Sequence, residues 1–327
     1  MATIKDVAKA ANVSTSTVSR ILNNDSTLNV PDSTKQAVLN AAASLNYQKK
    51  TKSSKTSYTI GIVQWYSLQQ EIDDPYYLSI RQGVEEYCRQ NQIQIMRTFK
   101  DDTNYIKALE NVNGIICIGK FSKEDIESFE KITRNLVLLD MSTSAIHHHS
   151  ISLDFQNAVY DALDYLTSLG HKKITYLGGK EYLDNHEEYA DERKKSFIHY
   201  CKTHDIKYQV LEESFTREAG YTMMCELIHQ NQLPDAIFAG SDPIAIGALR
   251  ALHDYQIHIP DDISLVGFDN IDAANYTNPP LTTLFAPTFE MGKYGAQLLH
   301  HIKDFHTPMK ILLPCTLIER ESCQQKD

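Results

Sequence analysis

The chain has six cysteines, Cys88, Cys117, Cys201, Cys225, Cys315 and Cys323, but no CxxC pair among them. That spacing excludes a zinc ribbon or a redox couple and leaves reduced, packed thiols as the expectation. No stretch approaches the roughly 18 apolar residues of a membrane helix, and Met1-Ala2-Thr3-Ile4-Lys5-Asp6 lacks the apolar run of a signal peptide, so a cytoplasmic location without membrane contact is expected. No GxGxxG follows the first apolar strand of the body, and neither GxxxxGK[ST] nor HExxH occurs. Nucleotide or zinc catalysis therefore has no visible seat, and the expectation is no enzyme, no cofactor and no metal. His147-His148-His149 has no acidic or cysteine neighbour, and three adjacent histidines cannot all face one ion on regular structure, so a surface loop is expected there. Positive charge is scarce: 32 Lys and Arg face 42 Asp and Glu, a net charge of -10.

That scarcity is uneven. Residues 1–57 hold eight basic side chains against Asp6, Asp25 and Asp32, a net of +5, which leaves -15 on the rest. A basic head on an acidic body implies that the head alone meets a polyanion, since phosphate repels a uniformly acidic surface. With 327 residues, 42% of them hydrophobic, there is material for two core-forming units besides the small head.

Within the head, Ile4, Val7, Ala8 and Ala11 fall on one stripe of a short helix, with Thr3 as its N-cap and Asp6 completing a capping box. Ser14 is placed to cap a second helix whose inner side is Val18, Ile21 and Leu22. Thr15, Ser16, Ser19 and Arg20 then point outward. A third helix opens at Pro31-Asp32-Ser33 and turns Val38, Ala42 and Leu45 inward. Two short helices joined by so tight a turn make a helix-turn-helix, whose second helix enters the DNA major groove. Short hydroxyls there reach base edges or phosphates, and an arginine reaches guanine.

From Tyr58 onward apolar runs alternate with amphipathic helical patterns. Residues 58–65, 114–119 and 136–140 form one series, with a helix from about Tyr77 to Gln90, and residues 173–179, 236–241 and 263–269 form a second. Two parallel sheets flanked by helices follow, so the fold class is α/β with an all-α head. Ligands of such folds bind beyond the carboxyl ends of the strands, which directs attention to Asp140, Ser241, Asp242 and Asp269, although Asp242 before Pro243 also suits a helix cap.

Thr3-Ile4-Lys5-Asp6-Val7-Ala8, then Val13-Ser14-x-x-Thr17-Val18-Ser19-Arg20-x-Leu22-Asn23, then Ala43-Ser44-Leu45-Asn46-Tyr47 resemble the N-terminal signature of the lactose-repressor (LacI/GalR) family of bacterial transcription regulators. The resemblance continues through Asp74-Pro75-Tyr76-Tyr77, Leu169-Gly170-His171 and Pro260-Asp261-Asp262-Ile263-Ser264-Leu265-Val266-Gly267-Phe268-Asp269. It implies base reading by Thr15, Ser16 and Arg20 and phosphate anchoring by Ser14, Thr17 and Asn23. It also implies a periplasmic-binding-protein-like core of two subdomains joined by three crossovers, with the effector between them.

The domains expected are a helix-turn-helix domain at 1–47, a basic flexible linker at 48–57 and a sugar-binding core at 58–327. The core divides into an N-subdomain (about 58–154 and 288–313) and a C-subdomain (about 155–285 and 315–324). The linker lacks the leucine that family members wedge into the minor groove, so Lys49 and Lys50 are expected to contact phosphate without inserting between bases. The family's sugar-binding roles fall on Asp140, Arg193, Asp269 and Phe215, with Ser241 where some members place an asparagine. Trp65 and Tyr66, at the end of the first body strand, suit either stacking on the sugar or packing.

The stretch Ser67 to Asp74 lengthens the first loop, and with Gln64-Trp65-Tyr66-Ser67 it resembles the galactose- and β-galactosidase-operon repressors, which favours a galactose-type effector. The function implied is a repressor of a sugar-utilisation operon, in which sugar binding alters subdomain closure and the spacing of two DNA-reading heads. The C-terminus shows no leucine heptad, so a homodimer on double-stranded operator DNA is expected. The competing reading is a sugar-binding protein of a transport system with the same core, against which the basic helices argue.

Overall fold

The computed structural model describes residues 2–23, 25, 28–45, 47, 58–141, 147–183 and 187–326. The chain divides into two compact units, Met1–Ser57 and Tyr58–Asp327.

The small unit is built on three helices, α1 (Ile4–Ala10), α2 (Thr15–Leu22) and α3 (Asp32–Ser44). Local chemistry sets the first two starts. The Thr3 hydroxyl accepts from the Asp6 amide while the Asp6 carboxylate accepts from the Thr3 amide, and Ser14 Oγ accepts from the Thr17 amide at 3.0 Å. Val7, Ala8, Val18, Ile21, Val38 and Ala41 form the core. Leu45, expected inside, is 37% exposed: α3 stops at Ser44, so Leu45 leaves the helical phase and Ala41 takes the inner position, with Ala42 at its edge.

The large unit begins with β1 (Thr59–Gln64), α4 (Leu68–Asp73), α5 (Tyr76–Gln90), β2 (Gln94–Phe99) and α6 (Tyr105–Ala108). It continues through β3 (Gly114–Ile118), α7 (Lys123–Glu130), β4 (Leu136–Leu139) and β5 (His149–Leu153). The second half runs α8 (Phe155–Ser168), β6 (Lys173–Gly179), a hairpin of β7 (Glu181–Tyr182) and β8 (Glu188–Tyr189), α9 (Glu192–Thr203) and β9 (Lys207–Glu213). Then come α10 (Arg217–His229), β10 (Ala236–Ala239), α11 (Asp242–Asp254), β11 (Ser264–Asp269) and β12 (Thr282–Phe285). The chain closes with α12 (Thr288–His300), β13 (Lys310–Leu313) and β14 (Thr316–Ile318).

Two six-stranded sheets result, ordered β13-β5-β4-β3-β1-β2 and β14-β12-β11-β10-β6-β9. The ladders are parallel except β12 with β14. Near-continuous apolar strands such as Leu136–Leu139 and Ala236–Ala239 are buried along their whole length, as helices on both faces of a parallel sheet require. The chain passes between sheets three times, after β5, after β12 and after β13, so the carboxyl ends of both sheets border one cleft.

Two local expectations are corrected. The stretch after Tyr66 is a helix, not an extended loop: Ser67 and Gln70 close a capping box at the start of α4, and its Glu71 is buried in an ion pair with Arg81 at 2.7 Å. The histidine tract is a surface loop only in part: His147 is exposed and precedes the strand. His149 opens β5 and is buried, its Nδ1 accepting from the Met309 amide at 3.2 Å, while His148 pairs with Glu130 at 2.7 Å. Pairing of His149 with Val137 of β4 draws the end of the tract into the sheet.

Candidate functional site

Asp140 stands directly after β4 with a φ of +60°, so its carboxylate leaves the strand toward the cleft. The tyrosine hydroxyls of Tyr76 and Tyr77, at the start of α5, each donate to it at 3.0 Å, and Lys120 Nζ donates at 2.6 Å. Lys120 follows β3 by two residues and is buried. Burial pulls its ammonium down, but Asp140 and Glu181 outweigh that and hold it above the ordinary lysine value.

From the second sheet come Arg193, Ser241 and Asp269. Arg193 is in the first turn of α9; its Nε donates to Asp191 at 2.9 Å and an Nη to the Gly240 carbonyl at 2.8 Å. Its guanidinium lies against three phenylalanine rings, 4.6 Å from the centroid of Phe215, 5.2 Å from Phe155 and 5.6 Å from Phe268. Phe215 gets this close to β6 because residue 179 is glycine; a Cβ there would sit 2.3 Å from the ring. Ser241 caps α11, and Asp242, whose carboxylate suited a cap, instead accepts from the Thr283 hydroxyl at 2.6 Å and the Ile271 amide at 2.9 Å.

Asp269 ends β11 with a φ of +107°, a costly conformation for a residue with a side chain. Its Oδ1 is buried and has no hydrogen-bond partner among the described residues. Burial first, then the neighbouring Asp74 and Asp242, raise its carboxyl well above the ordinary range. Burial also pushes Asp74 up to about 6, although its carboxylate accepts from the Tyr76 amide at 3.1 Å.

Six of the seven expected effector residues, Asp140, Arg193, Asp269, Phe215, Ser241 and Tyr66, line one small cavity of about 20 Å³. Trp65 does not; its ring packs edge-on to Tyr77 and over Gly119, whose φ of +104° and missing Cβ make room for it. A second cavity of about 310 Å³ adjoins the first and shares Asp140, Phe155, Glu181 and Arg193 with it. Sequence reasoning passed over Lys120, Glu181 and Asp191. For Lys120 the signal was present, a charged residue just past an apolar parallel strand; Glu181 and Asp191 reach the cleft only through the fold.

In the small unit, Thr15 and Ser16 are exposed in the first turn of α2, and Ser14 Oγ and Thr17 Oγ1 lie 2.8 Å apart. Arg20, one turn on, is half-exposed, with its Nε held by Asp25 at 2.7 Å. Asn23 is the C-cap of the same helix and exposed. Lys49 and Lys50 lie outside the described residues. Among the described residues no helix is long and apolar enough to cross a membrane.

Residues 3–50 match the family described as bacterial regulatory proteins, lacI family, and residues 163–323 match the periplasmic binding protein-like domain. The chain is 39% identical over 318 residues to the HTH-type transcriptional regulator GalR of Streptococcus thermophilus, covering 95% of each. It is 34% identical over 338 residues to the HTH-type transcriptional repressor MelR of Bacillus subtilis (strain 168), covering 99% of this chain and 98% of that one. In fold it is similar to the crystal structure of the lac repressor dimer bound to operator and the anti-inducer ONPF, with a TM-score of 0.77 at 23% identity over 99% of both chains.

Proposed function

Because this chain belongs to the lacI family of bacterial regulatory proteins, we propose that it represses a sugar-utilisation operon and that a galactose-type sugar, bound between the two sheets of its core, changes its grip on operator DNA. The relatives are transcriptional regulators. The activity is binding alone, without a catalysed step, and its place is the cytoplasm where the operator lies. The working species is a homodimer, which presents two reading helices to a near-palindromic site.

One observation carries the sugar reading: Asp269 Oδ1 is a buried acceptor without a donor among the described residues, in the same cavity as Arg193 and Asp140. An unsatisfied buried acceptor costs about 1–3 kcal/mol, which a sugar hydroxyl would restore by donating to it. Carboxylates accept from neighbouring hydroxyls, Arg193 donates to ring and hydroxyl oxygens, and Phe215 covers an apolar ring face. Closure of the cleft on the sugar selects one arrangement of the core, and the head's affinity for DNA follows.

In the head, Thr15, Ser16 and Arg20 read bases while Ser14, Thr17 and Asn23, with Lys49 and Lys50, hold phosphates. Two assays test this reading. Footprinting on the chain's own promoter shows protection that galactose alters, and Arg20→Ala weakens discrimination between operator and random DNA by about tenfold or more. Absence of protection, or protection that no sugar changes, overturns the proposal.

A further inference from the structure

Asp269 is followed by a second residue in the left-handed region, Asn270, with a φ of +56°. Asparagine adopts that conformation at little cost, but Asp269 at +107° does not, so the pair persists only if the surrounding structure holds it. Two braces do so. Asp242, wholly buried, accepts from the Ile271 amide at 2.9 Å and from the Thr283 hydroxyl at 2.6 Å. It comes this close because residue 267 is glycine, where a Cβ would lie 2.2 Å from Asp242 Oδ1.

The other brace is Arg320, half-buried and two residues past β14. Its fork bridges two neutral oxygens: one Nη donates to Asn270 Oδ1 and the other to the Leu281 carbonyl, each at 2.6 Å. The backbone that carries the fork is itself pinned. The Arg320 amide donates to Thr282 Oγ1 at 2.9 Å, and Ser322 Oγ accepts from the Thr282 amide at 2.8 Å and donates to the Leu265 carbonyl at 2.6 Å. The residue after Asp269 is thereby tied to the start of β12. Neither Arg320 nor Asn270 lines either cavity at the cleft, so their influence on a ligand there passes through Asp269.

Resting on the sugar-sensing reading above, we propose that Arg320 is a positioning residue for effector binding: by bridging the Asn270 side chain to the Leu281 carbonyl, it holds the turn that keeps the Asp269 carboxylate facing the cleft.

Calorimetric titration of the full chain with galactose and with lactose tests this, each variant first shown to be folded by circular dichroism. Arg320→Met keeps the stem and removes both donors, and it weakens binding of the tighter sugar by about tenfold or more, while Arg320→Lys, with one donor group, falls between. Asn270→Gly accepts the same φ without a side chain and shows a similar loss; adding Arg320→Met to it costs less than about twofold more. Unchanged affinity in folded Arg320→Met overturns the assignment. So does a full second loss in the double variant, because Arg320 would then act on the fold at large and not through Asn270. Should Arg320→Met fail to fold, Asn270→Gly decides alone, and wild-type affinity in it overturns the link. If wild type gives neither heat nor a rise in melting temperature with either sugar, the sugar-sensing reading itself falls and this inference with it.

Discussion

Arg193 is the residue on which both sides of the cleft depend. It is buried, it is fixed by Asp191 and the Gly240 carbonyl, and it lies among carboxylates whose repulsion it offsets. Lysine would keep the charge but lose the planar fork, so Arg193→Lys weakens sugar binding by about tenfold or more, read by calorimetry. Asp74 offers a pH test. Burial raises its carboxyl from an ordinary 3.8 to about 6, so the folded form binds the proton more tightly than the unfolded chain does. The stability this contributes is complete at pH values below the ordinary carboxylate value and is lost as pH rises through about 6. Asn at this position stays neutral and keeps the oxygen that accepts from Tyr76. Melting temperatures of wild type and Asp74→Asn should therefore be closest in acid, with the variant gaining by several degrees as pH rises toward about 8. A difference that does not vary with pH contradicts the assignment.

At the scale of elements, α4 shows how a buried charge pair ties a short helix to the sheet. Arg81 donates to Glu71 through Nε and an Nη and to Gln64 on β1 at 2.9 Å, and Glu71 is 5% exposed. Glu71→Ala leaves Arg81 buried with only Glu85 and Gln64, and destabilises the core by about 3 kcal/mol in urea unfolding. This helix was legible in principle, since Ser67 and Gln70 stand three positions apart as a capping box, yet an expectation formed from loop length passed over it. The helices of the head were easier for the same local reason: Thr3 with Asp6 and Ser14 with Thr17 settle their own ends within three residues. Leu45 fails because a helix stripe continues on paper past the point where the helix stops. The core strands were readable because parallel strands buried on both faces need unbroken apolar runs, and Asp140 and Asp269 because they end such runs. Glu181, Asp191 and Tyr189 were not readable as a group. Five residues separate the two hairpin strands, and their function arises only once the hairpin lies beside residues 120 and 140.

For the whole molecule, the division into a basic head and an acidic body separates two tasks that would interfere if shared, since phosphate binding needs positive surface and the cleft is rich in carboxylates. Coupling between the tasks is a free energy, of about 1–3 kcal/mol in ordinary cases, and it arises only if the sugar prefers one arrangement of the core. The central claim is that Asp269 and its neighbours sense the sugar that governs the head. The most direct measurement is operator affinity across a sugar titration for wild type and Asp269→Ala at fixed salt. The account predicts a change of about fivefold or more in wild type and little or none in the variant at the same sugar concentrations. An equal response in both proteins would contradict it.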